Sequence, residues 1–175
     1  IDTVVGIVKA YATRVGHGPF PTELHDAIGD RLRDVGAEFG STTGRARRCG
    51  WLDIPALRLA SRLSGVESLA ITKLDVLNGL DRVKLCTHYK VNGKLVDEMP
   101  LDVDDLATVE PVYEEHPGWA ARDASSPPIL REDDLPAAAR SYLARISELT
   151  GLPACLVSVG PGREQTILRR NPFAA

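Results

Sequence analysis

The residues best suited to chemistry crowd into one short stretch, Gly40-Ser41-Thr42-Thr43-Gly44-Arg45-Ala46-Arg47-Arg48-Cys49-Gly50. It has no apolar periodicity, so it predicts neither a core strand nor a core helix. Glycines let backbone amides approach a ligand closely. Arginine presents a planar fork of donors that matches carboxylate or phosphate oxygens in pairs. Threonine hydroxyls donate to the same oxygens. The stretch is suited to gripping a small anion, and equally to forming a solvated basic loop with a turn at each end.

A second constellation is Thr72-Lys73-Leu74-Asp75, at the end of the short apolar run Leu69-Ala70-Ile71-Thr72. A Thr/Asn-Lys-x-Asp motif at a strand end is suited to reading guanine. The Asp75 carboxylate would accept from N1–H and the exocyclic amine together, and the Lys73 stem would lie across the ring. Adenine has an acceptor at N1 and no amine at C2, which leaves that carboxylate poorly paired. Four residues are a weak signal, since a capped loop after a strand looks similar.

These loops need a scaffold. Val4 to Val15 reads as a strand buried on most of its length, running into the rigid loop Gly16-His17-Gly18-Pro19-Phe20-Pro21. Thr22 is placed to cap a helix that starts at Glu23, packs Leu24, Ile28, Leu32 and Val35, and ends at Gly36. Asp53 caps the next helix, with Pro55 in its first turn, Gly65 past its end, and Ile54, Leu57, Ala60 and Leu63 facing inward. Arg82–Val91 and Leu95–Met99 alternate as a hairpin across Asn92-Gly93. Leu101 to Glu110 is acidic and suits a short helix, and Glu110 to Gly118 is extended. Ala121 to Pro128 is the stretch whose composition best suits disorder. Asp133-Asp134 with Pro136 opens the longest helix, with Leu135, Ala139, Tyr142, Leu143, Ile146 and Leu149 on its apolar face and Gly151 closing it. Ala154–Ser158 is a buried strand that ends in Val159-Gly160-Pro161-Gly162-Arg163, and Gln165 to Arg169 is the last strand. Several candidate loops thus follow strands, where ligands of α/β sheets collect.

Composition narrows the class. With 175 residues, 43% hydrophobic and 26% charged, the chain suits a globular domain or part of one. A net charge of −3 gives no general attraction to nucleic acid or acidic membranes. The apolar runs are too short to cross a bilayer. Cys49, Cys86 and Cys155 are odd in number and widely spaced. They favour a reducing cytoplasm over a disulfide framework or a zinc site. His17, His25, His88 and His116 share no ligand spacing. No secretory leader is visible, and the absence of an initiator methionine points to an internal start. No internal repeat and no domain-scale linker is visible.

Taken together, Arg14-Val15-Gly16-x-Gly18-Pro19-Phe20-Pro21-Thr22-Glu23-Leu24, Thr42-Thr43-Gly44-Arg45-x-Arg47-Arg48-x-Gly50-Trp51, Thr72-Lys73-Leu74-Asp75-Val76-Leu77, Pro111-Val112-Tyr113-Glu114 and Ser158-x-Gly160-Pro161-x-Arg163 resemble adenylosuccinate synthetase, in that family's order and across nearly the whole chain. The resemblance implies an α/β, P-loop-NTPase-like fold: a mostly parallel sheet with flanking helices, residues 1–175 being the C-terminal part of a larger domain. It implies a cytoplasmic, homodimeric ligase of purine biosynthesis that joins L-aspartate to IMP with GTP as co-substrate. The γ-phosphoryl group would move to the IMP 6-oxygen, and the aspartate amine would then displace phosphate. Carried over residue by residue, Ser41, Thr42, Thr43, Gly44, Arg45, Ala46 and Arg47 resemble the loop that closes over aspartate. Val15 and Arg45 would contact IMP. Arg47, Lys73, Leu74, Asp75, Ser158, Val159 and Gly160 would contact GTP. The family assigns no substrate role to Arg48.

The departure is that no G-x-x-x-x-G-K stretch, and none of the family's acid–base pair, occurs here. The resemblance therefore places no catalytic residue and no metal ligand in this chain, with Mg²⁺ held mainly by an absent N-terminal part. The alternative is a non-catalytic guanine-nucleotide-binding module with Arg45 to Arg48 on phosphate or nucleic acid. A nucleic-acid surface needs more basic and aromatic residues near those arginines than Trp51 alone, so no nucleic-acid or membrane partner is expected.

Overall fold

The computed structural model describes residues 2–123 and 125–172. The chain forms two compact units, each assembled from separated segments. The first comprises Ile1–Ala10, Ala60–Val83 and Glu115–Ala175, and the second comprises Tyr11–Leu59 and Lys84–Glu114.

The first unit holds a four-stranded sheet in the order β1 (Val5–Lys9), β5 (Ser68–Thr72), β9 (Ala154–Ser158), β10 (Thr166–Leu168). β1, β5 and β9 run parallel, and β10 pairs antiparallel with β9. β5 and β9 are apolar because both faces are covered, as parallel strands require. Leu69, Ile71, Cys155 and Val157 from these strands are buried, as are Tyr142, Leu143 and Ile146 from helix α4 (Ala137–Thr150). Each aliphatic side chain of this size contributes about 1.5–3 kcal/mol by leaving water. α4 ends where expected, at Gly151 with φ 72°. Its buried Tyr142 hydroxyl donates to the Ala10 carbonyl at 2.7 Å.

The second unit pairs β2 (Ala12–Arg14) antiparallel with β3 (Arg48–Gly50). A separate sheet joins β4 (Leu52–Asp53), β6 (Arg82–Val91) and β7 (Lys94–Val96), with β8 (Glu110–Pro117) on β6. Asn92 and Gly93 turn the β6–β7 hairpin with φ of 50° and 77°, the doubly positive geometry favoured by this dipeptide. Helices α1 (Ala27–Val35) and α3 (Val103–Thr108) also belong here, and α2 (Ile54–Ser64) starts here. The Tyr89 hydroxyl meets both oxygens of buried Asp53 at 2.6 Å. Asp53 also caps α2 by accepting from Ala56 N at 3.1 Å, as expected from sequence.

Three local expectations are corrected. The single strand over 4–15 is two strands in different sheets, broken at the buried pair Ala10-Tyr11, and Ile7 is 80% exposed rather than covered. The first helix starts at Ala27, not Glu23. Asp26 accepts from Ile28 N and Gly29 N at 3.0 Å, whereas Glu23 bridges Gly50 and Leu24 N donates to Cys49 O. In α2, Ile54 is buried, but Ala60 and Leu63 are exposed. Of the 121–128 stretch expected to suit disorder, Ala124 lies outside the described residues. In the remainder, the Asp123 carboxylate accepts from Ser125 N and Ser126 N.

Candidate functional site

In the first unit, parallel pairing of β5 with β9 brings their C-terminal ends to one edge of the sheet. The chain leaving β5 passes through Lys73, held in the left-handed region at φ 59°, into a 3₁₀ turn over Leu74–Leu77. The chain leaving β9 turns at once, and the Ser158 hydroxyl donates to Gly160 O at 2.8 Å. Asp75, Asn78, Ile129, Val159 and Gly160 line one cavity of about 390 Å³, within the range of about 300–1,000 Å³ usual for small-molecule sites. Leu74 lies on a small adjoining recess with Asp75 and Val159. Lys73 and Ser158 do not line the main cavity. Ser158 shapes the loop, and Lys73 acts on the Asp75 carboxylate through its charge.

Burial is the largest influence on Asp75 and raises its pKa; its own backbone N–H and then Lys73 oppose the shift. The ionised carboxylate thus faces a cavity with incomplete compensation and gains from donors placed there. Asn78 was legible only as a turn residue, but its side-chain oxygen accepts from Trp119 Nε1 at 2.6 Å. That bond fixes the cavity wall beside Asp75.

In the second unit the basic stretch is a hairpin tip. Phe39 bridges Ala46, Gly40 N donates to Arg45 O at 2.9 Å, and Gly44 N donates to Gly40 O at 2.8 Å. Ser41 to Ala46 are exposed, with Gly44 at φ 63°. The β2–β3 register pairs Arg14 with Arg48, so Val15, 72% exposed, and Arg47 lie at the same end of that ladder.

The two arginines at the loop's foot do different things. Arg48 is fully engaged. Its Nε donates to Glu23 Oε1 at 2.8 Å, its Nη2 to Glu23 Oε2, and its Nη1 to the carbonyls of Gly16 and Gly18 at 3.2 and 2.8 Å. Its guanidinium also sits 5.5 Å from the Phe20 ring centroid. Arg48 therefore holds the 16–20 loop beside Val15. Arg47 donates from Nη1 to Glu38 Oε2 at 2.8 Å, while its buried Nε makes no hydrogen bond. Glu38 was missed in the sequence, where one glutamate after Gly36-Ala37 carries no signal.

Arg48→Leu leaves the Glu23 carboxylate and two carbonyls without their donor, an expected loss of about 2–4 kcal/mol. Bonding to Arg48 lowers the Glu23 pKa below its ordinary 4.5. The stabilisation is therefore complete above that value and is lost as pH falls through the lower folded-state value. Acid unfolding followed by circular dichroism should show this loss in the wild type and not in the variant. Identical acid midpoints would contradict it.

Among the described residues, no three His, Cys, Asp or Glu side chains converge as metal ligands. None of the described helices is long and apolar enough to cross a membrane.

The model of one protein family, described as adenylosuccinate synthetase, matches residues 1–167. The adenylosuccinate synthetase of Caldanaerobacter subterraneus subsp. tengcongensis is 53% identical over 171 residues, covering 98% of this chain and 39% of that protein. The enzyme of Desulfosudis oleivorans is 56% identical over 174 residues, covering 99% and 40%. The structure of fully ligated adenylosuccinate synthetase from Plasmodium falciparum superposes with a TM-score of 0.89 at 41% identity, covering 96% of this chain and 40% of that one. The chain spans about two-fifths of the length of these relatives, and along that span its sequence and its α/β fold place it in the adenylosuccinate synthetase family.

Proposed function

We propose that this chain is the C-terminal segment of a GTP-dependent ligase that joins L-aspartate to IMP, giving adenylosuccinate, GDP and phosphate. The observation that carries the reading is the half-buried Asp75 carboxylate on a cavity shared with Val159 and Gly160, in a chain of this family. Guanine brings two adjacent N–H donors, which is what an under-compensated carboxylate accepts best. Val159 and Gly160 close the cavity beside the base.

Thr42, Thr43, Arg45 and Arg47 supply donors for the two carboxylates of aspartate, with Ser41, Gly44 and Ala46 shaping the loop. Val15 and Arg45 meet the ribose of IMP, and Arg47 also reaches toward GTP. In the reaction the γ-phosphoryl group passes to the IMP 6-oxygen. The aspartate amine then forms the C6–N bond as the C6–O bond to phosphate breaks. The residues of this chain bind and orient the reactants beside that carbon. On this reading Mg²⁺ is held mainly by the remainder of the enzyme, together with the acid–base pair. The complete protein is a cytoplasmic homodimer on this reading.

The test is the conversion of IMP by full-length protein and by residues 1–175 alone. The full-length protein is expected to form adenylosuccinate only with both GTP and aspartate present. The segment alone is expected to be inactive. Guanine-nucleotide binding without any ligation by the full-length protein would replace this reading with that of a binding module.

A further inference from the structure

We propose that Glu38 is a positioning residue for Arg47, anchored from the opposite side by Tyr11. The inference rests on the reading of Arg47 as an aspartate-binding residue. Glu38 has no exposed surface. Its Oε2 accepts from Arg47 Nη1 at 2.8 Å and its Oε1 accepts from the Tyr11 hydroxyl at 2.6 Å. The backbone repeats the connection, since Arg47 N donates to Glu38 O at 2.8 Å and Arg33 Nε donates to Arg47 O at 3.2 Å. Two local features turn the carboxylate inward. Ala37 occupies the left-handed region at φ 48°, an uncommon conformation for a residue with a Cβ. Gly36 leaves room for the phenol, because a Cβ there would lie 2.2 Å from the Tyr11 hydroxyl oxygen.

A flexible arginine must lose rotamer freedom to grip a small carboxylate. With one guanidinium nitrogen fixed by a buried carboxylate that is itself fixed by a phenol, Arg47 meets its ligand already ordered. Glu38 touches no substrate. Its effect is on the affinity of the aspartate step, and IMP, assigned to Val15 and Arg45, serves as the internal control.

The experiment measures KM for aspartate and for IMP, kcat and Tm in the full-length enzyme for Glu38→Ala, Glu38→Gln, Tyr11→Phe, Arg47→Lys and, as a structural control, Glu23→Ala. Glu38→Ala is expected to raise KM for aspartate about tenfold and to leave KM for IMP within twofold. Glu38→Gln keeps an acceptor for Arg47 and should restore most of the affinity. Tyr11→Phe should give a smaller increase of the same kind. Glu23→Ala should lower Tm without raising KM for aspartate. Where Glu38→Ala does not fold, Tyr11→Phe carries the test through the same split between KM values. An unchanged KM for aspartate overturns the proposal. So does a parallel rise in both KM values that accompanies a fall in Tm. If Arg47→Lys also leaves KM for aspartate unchanged, the assignment of Arg47 itself has failed. If Arg47→Lys raises it and the Glu38 and Tyr11 variants do not, only the positioning role has failed.

Discussion

Asp75→Asn in the full-length enzyme is expected to lower kcat/KM for GTP by about 2–4 kcal/mol, roughly 30- to 900-fold, while leaving the fold at least as stable. The amide offers one acceptor where guanine presents two donors, and its NH₂ opposes one of them. Stability behaves differently because burial raises the folded-state pKa of Asp75 above its ordinary 3.8. A carboxyl with a raised pKa favours folding most when protonated. Its stabilising influence fades as pH rises from that ordinary value through the folded one, so at neutral pH the charge opposes folding. A neutral amide removes that opposition. Steady-state kinetics with GTP, together with thermal unfolding, check both parts. Unchanged GTP kinetics would remove Asp75 from the site, and a parallel collapse of Tm would show that the kinetic loss is only unfolding.

At Arg47 the effect divides between binding and stability, and the variant decides which is seen. Arg47→Leu takes from the buried Glu38 carboxylate the guanidinium whose Nη1 lies 2.8 Å from it, leaving the Tyr11 hydroxyl as a donor. Breaking a buried pair from one side costs about 3–5 kcal/mol. Part of that cost is relieved here, since the Arg47 side chain is 30% exposed and solvent can enter. The leucine variant is therefore expected to lower Tm clearly as well as to raise KM for aspartate. Arg47→Lys separates the two. An ammonium keeps the charge and one donor for Glu38, but lacks the second parallel donor of the guanidinium fork. The expected result is a KM for aspartate about tenfold higher, the equivalent of one charge-assisted hydrogen bond, with little change in Tm. A lysine variant with wild-type KM would show that no two-pronged grip on aspartate exists, and the assignment of Arg47 to the aspartate site would fail with it. Arg48→Leu, by contrast, disturbs the 16–20 loop through Gly16 and Gly18. Its kinetic effect should fall on IMP beside Val15 rather than on aspartate.

The sequence by itself determined the elements whose signals are local. Asn92-Gly93 sets a hairpin because its backbone needs two positive φ values. Gly151 ends α4 because a left-handed residue satisfies the last carbonyls. The apolar runs 69–72 and 154–158 are strands because both faces of a parallel sheet are covered, and the loops after them carry the Lys73–Asp75 and Ser158–Gly160 motifs. Tertiary structure alone decided the rest. Two units built from interleaved segments leave no composition shift for a reader to find. Thr22 is a good cap in sequence, but the pairing of residues 23–24 with 49–50 takes it out of contention and leaves the cap to Asp26. Arg47 and Arg48 are adjacent and chemically identical, yet one locks to Glu23 and two carbonyls while the other shares Glu38 with Tyr11. Glu23 lies 25 residues from Arg48, and Tyr11 lies 27 residues from Glu38; those meetings are set by how β2, β3 and α1 pack. A charged side chain's role depends on which buried opposite charge it meets, and that meeting is a long-range event with no local periodicity to announce it.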